Sequence, residues 1–156
     1  MCSVERKKMI KVVTTENFES LLALMKRYQE FYEVVEIDEK RNEEFFSKFI
    51  GGTNEGVQFL LYEDDIPVSF STVYYSYAST ISSKVAILSD LYTVPKCRGK
   101  GYGRQLIKHC VNVAKENGCA RLQWFAQSDN ESAKGLYQKL CTYSGDWVVY
   151  AIATKP

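Results

Sequence analysis

One stretch, Asp90 to Leu106 (DLYTVPKCRGKGYGRQL), restricts what this chain can fold into more than any other. An apolar run ends at Val94 and Pro95, the residues Arg98 to Gly103 read RGKGYG, and a helical pattern starts straight after. Strand, glycine-rich turn and helix together present backbone N–H groups to an anion. Glycine tolerates the φ values that such a turn needs and leaves no side chain between backbone and ligand. Arg98 and Lys100 add positive charge. A phosphate or pyrophosphate is the simplest guest. A Walker loop needs GxxxxGK[ST], and here Lys100 precedes Gly101 with no Ser or Thr behind it. A dinucleotide fingerprint needs GxGxxG; Gly99 and Gly101 are followed by Arg104, and Gly101 and Gly103 by Leu106. What remains is R-x-x-G-x-G, from Arg98 through Gly101 to Gly103.

The chain around the loop reads as alternating elements. Met9 to Val13 is a short β-branched strand. Leu21, Leu22, Met25 and Tyr28 recur at helical spacing, which predicts a helix from Asn17 to about Glu33. Asp38 caps a second helix with Phe45, Phe46 and Phe49 on its apolar side, ended by Gly51-Gly52. Val57 to Tyr62 and Ile66 to Tyr77 form a hairpin about a turn at Glu63-Asp64-Asp65, and Lys84 to Val94 is the strand leading into the loop. The loop helix runs from about Gly101 to Asn117, with Leu106, Ile107, Cys110, Val111 and Ala114 buried and His109 on the polar side. Arg121 to Ala126 is a strand. Ser128 and Glu131 have capping-box spacing for a helix that buries Ala133, Leu136, Tyr137 and Leu140, and Trp147 to Thr154 is a last strand. The strands on either side of the loop helix should be parallel. The expectation is one domain over residues 1–156, of α/β (α+β) class.

That order, with the RGKGYG loop and the segment NESAKGLY from Asn130 to Tyr137, resembles the GNAT superfamily of N-acetyltransferases. The match covers nearly the whole chain and is dense from Leu88 to Tyr137. The resemblance implies an acyl-CoA N-acyltransferase fold: a mixed, mostly antiparallel central sheet of six to seven strands flanked by about four helices. It implies acetyl-CoA as co-substrate, with the pyrophosphate on the loop residues Arg98, Gly99, Lys100, Gly101, Tyr102, Gly103 and Arg104. The pantetheine arm would lie along Leu91, Tyr92 and Thr93, one of whose N–H groups would polarise the thioester carbonyl. Asn130 would reach the cofactor from a helix start, and Tyr137 would protonate the departing thiolate as general acid. Both have plainer alternatives, since Asn130 suits a helix cap and Tyr137 a core position.

The general base is less legible. Relatives that acetylate polyamines carry a glutamate where this chain has Ser89. Asp90 would act through a water or serve as a structural acceptor, and Glu33 and Glu36 are other candidates. The acidic run Glu33 to Glu39, preceded by Tyr28, Phe31 and Tyr32, suits a cationic amine or is a hydrophilic connection over a buried aromatic stripe. The tail Ser144 to Ile152 resembles a branch of the family in which some members pair through C-terminal strands, which implies a homodimer.

Composition closes off other classes. A net charge of +1 gives no electrostatic case for nucleic acid or a membrane surface. No run of about 20 apolar residues is present, nor a signal-peptide core, so a cytoplasmic protein is expected. Five cysteines without CxxC spacing argue against a disulfide framework or zinc site, and no metal is expected. Cys97, beside the loop, reads as a semi-apolar filler. The expected activity is acetyl transfer to a primary amine, of a small molecule or a protein, by direct attack in a ternary complex. The alternatives are an acyl-CoA-binding module without turnover and a nucleotide-binding regulator.

Overall fold

The computed structural model describes residues 6–141 and 145–155. The chain divides into two compact units, Met1–Phe125 and Ala126–Pro156. The first holds β1 (Lys8–Val12), α1 (Phe18–Phe31), α2 (Glu39–Phe46), β2 (Gly56–Glu63), β3 (Ile66–Ala78), β4 (Ser83–Thr93), α3 (Tyr102–Glu116) and β5 (Leu122–Gln123). The second holds α4 (Glu131–Leu140).

The strands run in spatial order β1-β2-β3-β4-β5. The first three pairings are antiparallel and β4–β5 is parallel. Among the described residues the sheet is therefore mixed and five-stranded, where six to seven mostly antiparallel strands were expected. The shortfall lies at the C-terminal side. The strand expected from Arg121 to Ala126 shrinks to two residues. The strand expected from Trp147 to Thr154 does not form: Trp147 is 81 % and Tyr150 91 % exposed, and among the described residues no strand pairs with them. Alternation of apolar side chains marks a segment able to pair; without a ladder its backbone groups stay with water.

Adjacent residues of β3 show where the helices lie. The Phe70 ring meets Tyr28 of α1 edge-on at 5.6 Å, while the Ser71 hydroxyl lies 3.4 Å from the Cys110 sulfur of α3. Consecutive strand residues point to opposite faces, so α1 and α3 cover opposite sides of the sheet. That is why β2 is buried almost end to end rather than alternating.

The elements follow local chemistry. Asp38 caps α2 through Arg41 N–H at 2.9 Å, as its position predicted. The β2–β3 turn places Asp64 and Asp65 at φ 50° and 63°, the primed geometry that matches strand twist. Two apolar assignments on α3 change. Tyr102, Leu106, Ile107, Cys110 and Ala114 are buried, but Val111 faces water. His109 packs edge-on against Phe59 at 4.5 Å, and burial pushes its pKa down, so it is not on the polar side. In α4 the cap is Asn130, whose side chain accepts from Ala133 N–H at 3.2 Å. The capping box expected of Ser128 and Glu131 is not used; Glu131 pairs with Lys134 instead. Ala133, Leu136, Tyr137 and Leu140 are half-buried rather than core.

Candidate functional site

Two features of the first unit meet where β4 gives way to α3. One is an opening in the sheet. Parallel pairing of β4 with β5 is limited to Ala86 with Leu122 and Ile87 with Gln123. From Leu88 to Thr93, β4 keeps β3 on one side and, among the described residues, has no strand on the other. Val94 N–H donates to Val68, and the Tyr92 carbonyl accepts from the Ser69 hydroxyl, so these residues aim at β3. By alternation, Leu91 and Thr93 turn their N–H groups to the open side.

The second feature is the glycine loop. A short 3₁₀ turn, Pro95–Cys97, follows β4, and α3 starts at Tyr102. Gly99 and Gly101 sit at φ 77° and 81°, the left-handed region that favours glycine. A Cβ at either would meet no atom within 4 Å, so conformation and not crowding requires glycine there. Gly101 caps α3 without a side-chain hydrogen bond, and the first turn carries no acidic residue. Among the described residues, the N–H groups from Gly99 to Arg104 find no protein acceptor. Unpartnered amides at a helix start, with the positive end of its dipole unopposed, fit an anion. A pyrophosphate fits this cradle.

The two cations of the motif do not point freely outward. Arg98 donates through Nε to the Thr93 carbonyl at 3.0 Å, and its guanidinium lies over Phe31 at 5.0 Å and Tyr92 at 5.8 Å. Lys100 reaches back to both carboxylate oxygens of Glu63 at 3.2 Å. Tyr102 is buried and its phenol donates to the same carboxylate. Arg6 adds a contact at 3.1 Å and the buried Cys97 thiol one at 3.8 Å. The Tyr102 hydrogen bond, with Lys100 and Arg6 behind it, holds the Glu63 pKa down at about 2. Arg104 is exposed.

Asp90 lies on the α1 face, beside a one-residue bulge. Thr72 pairs with Asp90 and Val73 with Leu88, leaving Ser89 without a partner and exposed. Burial pushes the Asp90 carboxyl up, while hydrogen bonds from the Thr72 and Tyr28 hydroxyls oppose that shift. The Thr72 oxygen in turn accepts from Gln58 Nε2 at 3.2 Å, inside the core. Among the described residues, Gln58 Oε1 has no hydrogen-bond partner. Burial, then the Asp90 charge, pushes the Tyr28 phenol far up. Tyr28 also meets Tyr32 edge-on at 4.9 Å and Tyr92 at 5.9 Å. Glu33 and Glu36 are exposed. In the second unit, Asn130 serves as the α4 cap and Tyr137 is half-buried on the same helix.

Sequence reasoning passed over Glu63, Thr72 and Gln58. Glu63 was read as part of a turn, yet it is the last residue of β2 and only 7 % exposed. Its partners on the loop are 37 and 39 residues away, and nothing local announces them. Tyr28 was legible as an aromatic beside the acidic run or on a buried stripe, but not as a hydrogen-bond donor to Asp90.

No helix among the described residues is long and apolar enough to cross a membrane. No cluster of three or more His, Cys, Asp or Glu side chains is arranged there to hold a metal ion.

Comparison with known proteins gives the same direction. An uncharacterized N-acetyltransferase of Bacillus subtilis is 27 % identical over 130 residues, 83 % of this chain and 86 % of that protein. A thialysine N-epsilon-acetyltransferase of Caenorhabditis elegans is 26 % identical over 149 residues, 90 % of this chain and 89 % of its own length. Among solved structures, an aminoglycoside N-acetyltransferase in complex with CoA superposes with a TM-score of 0.83 at 14 % identity, covering 99 % of this chain and 100 % of that one, a likeness of fold. A sequence model of the acetyltransferase (GNAT) family matches residues 21–143, a span that contains the sheet opening and the glycine loop, and the chain belongs to that family.

Proposed function

We propose that this protein transfers the acetyl group of acetyl-CoA to a primary amine by direct attack in a ternary complex. The observation that carries the reading is the set of unpartnered amides from Gly99 to Arg104 at the open end of the β4–β5 gap. Each hydrogen bond to a charged phosphate oxygen would contribute about 1.5–3 kcal/mol. The helix dipole would add about 0.3–1 kcal/mol. Several such bonds outweigh the dipole, so the loop conformation matters more than the helix behind it. Of the side chains, Arg104 is the proposed cation for the phosphates, while Arg98 and Lys100, exposed but engaged with Thr93 and Glu63, act mainly by shaping the loop.

The outward N–H groups of Leu91 and Thr93 suit an extended amide-bearing arm laid beside Tyr92, and one of them suits a carbonyl that gains negative charge during attack. Acetyl-CoA supplies the activated acyl group. The chain must then handle two protons. Tyr137, by its match to the family's N-x-x-A-x-x-x-Y element, is the proposed acid for the thiolate. Asp90, held by Thr72 and Tyr28, is the proposed acceptor for the ammonium proton through a water. Asn130 spends its oxygen on the α4 cap, which leaves its Nδ2 for the cofactor.

The Asp90 carboxylate favours a cationic acceptor, and a ring face of Tyr28 or Tyr32 turned to the ammonium would add to that attraction. Relatives named for thialysine and aminoglycosides, both amine-bearing, support that class. Calorimetric titration with acetyl-CoA, with ATP as control, tests the cofactor. Thiol release with and without an amine panel then tests turnover. Acetyl-CoA binding with no thiol release from any amine would favour a binding module instead.

A further inference from the structure

The amides of the loop are useful only if the loop holds one shape. Glycine by itself has little preference between left-handed and right-handed φ, so Gly99 and Gly101 permit the turn without selecting it. The selection has to come from the residues between and after them.

Those residues are Lys100 and Tyr102, and both end on one carboxylate. In the run Gly99-Lys100-Gly101-Tyr102, the two glycines open on empty space, with no atom within 4 Å of a notional Cβ. The two side chains go the other way, back to Glu63. Glu63 is itself fixed. It closes β2, pairs in register with Ile66 across the hairpin, and takes Arg6 from the strand-side approach to β1. The adjacent Asp64 exchanges hydrogen bonds with Lys7, which ties the hairpin end to the same approach. A rigid hairpin end therefore grips alternate residues of the loop from behind.

We propose that Glu63 is a positioning residue for the cofactor: by binding Lys100 and Tyr102 it sets the glycine loop in the shape whose amides meet the pyrophosphate. It touches no reacting atom and acts only through those two side chains. A loop shaped in advance binds more tightly because ordering is not charged to the binding step. The inference rests on the loop being the pyrophosphate site.

The test uses Glu63→Gln, which can still accept from Tyr102 but loses the ionic grip on Lys100. Thermal melting first establishes that the variant is folded. Acetyl-CoA affinity should then fall about tenfold or more, with kcat at saturating acetyl-CoA within about twofold and the amine KM unchanged. S-acetylpantetheine, which lacks the pyrophosphate, supplies the discriminating readout. Its kcat/KM should change by less than about twofold in the variant. Equal losses with both donors would mean a general structural role and would overturn the proposal. So would unchanged acetyl-CoA affinity. In a Lys100→Met background, Glu63→Gln should cost clearly less, because part of its action has already been removed; full additivity would also count against it. If the wild-type protein itself fails to bind acetyl-CoA, the failure lies with the cofactor reading and not with Glu63.

Discussion

Replacing Gly101 by alanine separates the conformational demand of the loop from its contact with ligand. Gly101 sits at φ 81° and ψ 14°. An L-residue there costs about 1–2 kcal/mol. Alanine recovers about 0.4–1 kcal/mol through its less disordered unfolded chain. The new methyl meets no protein atom within 4 Å, so no clash is added. The net loss is then about 1 kcal/mol, or a fall of about 2–4 °C in Tm for a chain of this size. The space the methyl enters is the space proposed for the phosphates. Displacing one charged hydrogen bond costs about 1.5–3 kcal/mol. That is a rise in acetyl-CoA Kd of about tenfold to about 150-fold. Calorimetry gives the second number and thermal melting the first. An unchanged Kd would remove the loop as the pyrophosphate site. A Tm equal to that of the parent would refute the argument from positive φ.

Tyr137→Phe should lower turnover by more than about tenfold while acetyl-CoA affinity stays within about threefold, read by single-turnover kinetics and calorimetry; an unchanged rate would remove Tyr137 as the acid. Asp90→Asn should slow amine acetylation at neutral pH with the fold retained. Because burial raises the Asp90 pKa above its ordinary 3.8, the ionised form costs stability once pH exceeds the raised value, so melting at pH 8 should find the variant at least as stable as the parent. Glu63 has the opposite sign: its pKa falls from 4.5 to about 2, so its stabilisation is complete above pH 4.5 and lost as pH drops toward 2. An acid titration should show that component in the parent and not in Glu63→Gln.

How much of this was legible beforehand varied with the range of the interaction. The helix under Leu21 and Met25, the Asp38 cap and the strand entering the loop depend on neighbours a few residues away, and their boundaries came within a residue or two. The turn of the glycine loop was legible because left-handed backbone favours glycine, and Gly99 and Gly101 hold that conformation. His109 and Val111 were misplaced by rotation: a helical wheel shows which residues share a face, but the sheet decides how wide the covered face is. Glu63 was hidden because a carboxylate beside two aspartates looks like any polar turn until the loop folds over it. The segment from Trp147 fails differently, since alternation records the capacity to pair and not the presence of a partner.

The bulge at Ser89 has a consequence for insertions and deletions. Two strands that pair with one residue extra on one side are in step only because of that residue. Ser89 is exposed and pairs with nothing, so almost any side chain can stand there. Deleting it is another matter: either Ile87 and Leu88, or Asp90 and Tyr92, would have to exchange the faces they now occupy. Tyr92 would leave the aromatic group of α1, and Asp90 its hydroxyl donors. Position 89 therefore carries its information in being counted. A survey of variants should find it permissive to substitution and intolerant of loss, with the frame of the whole β4 edge resting on one unpaired residue.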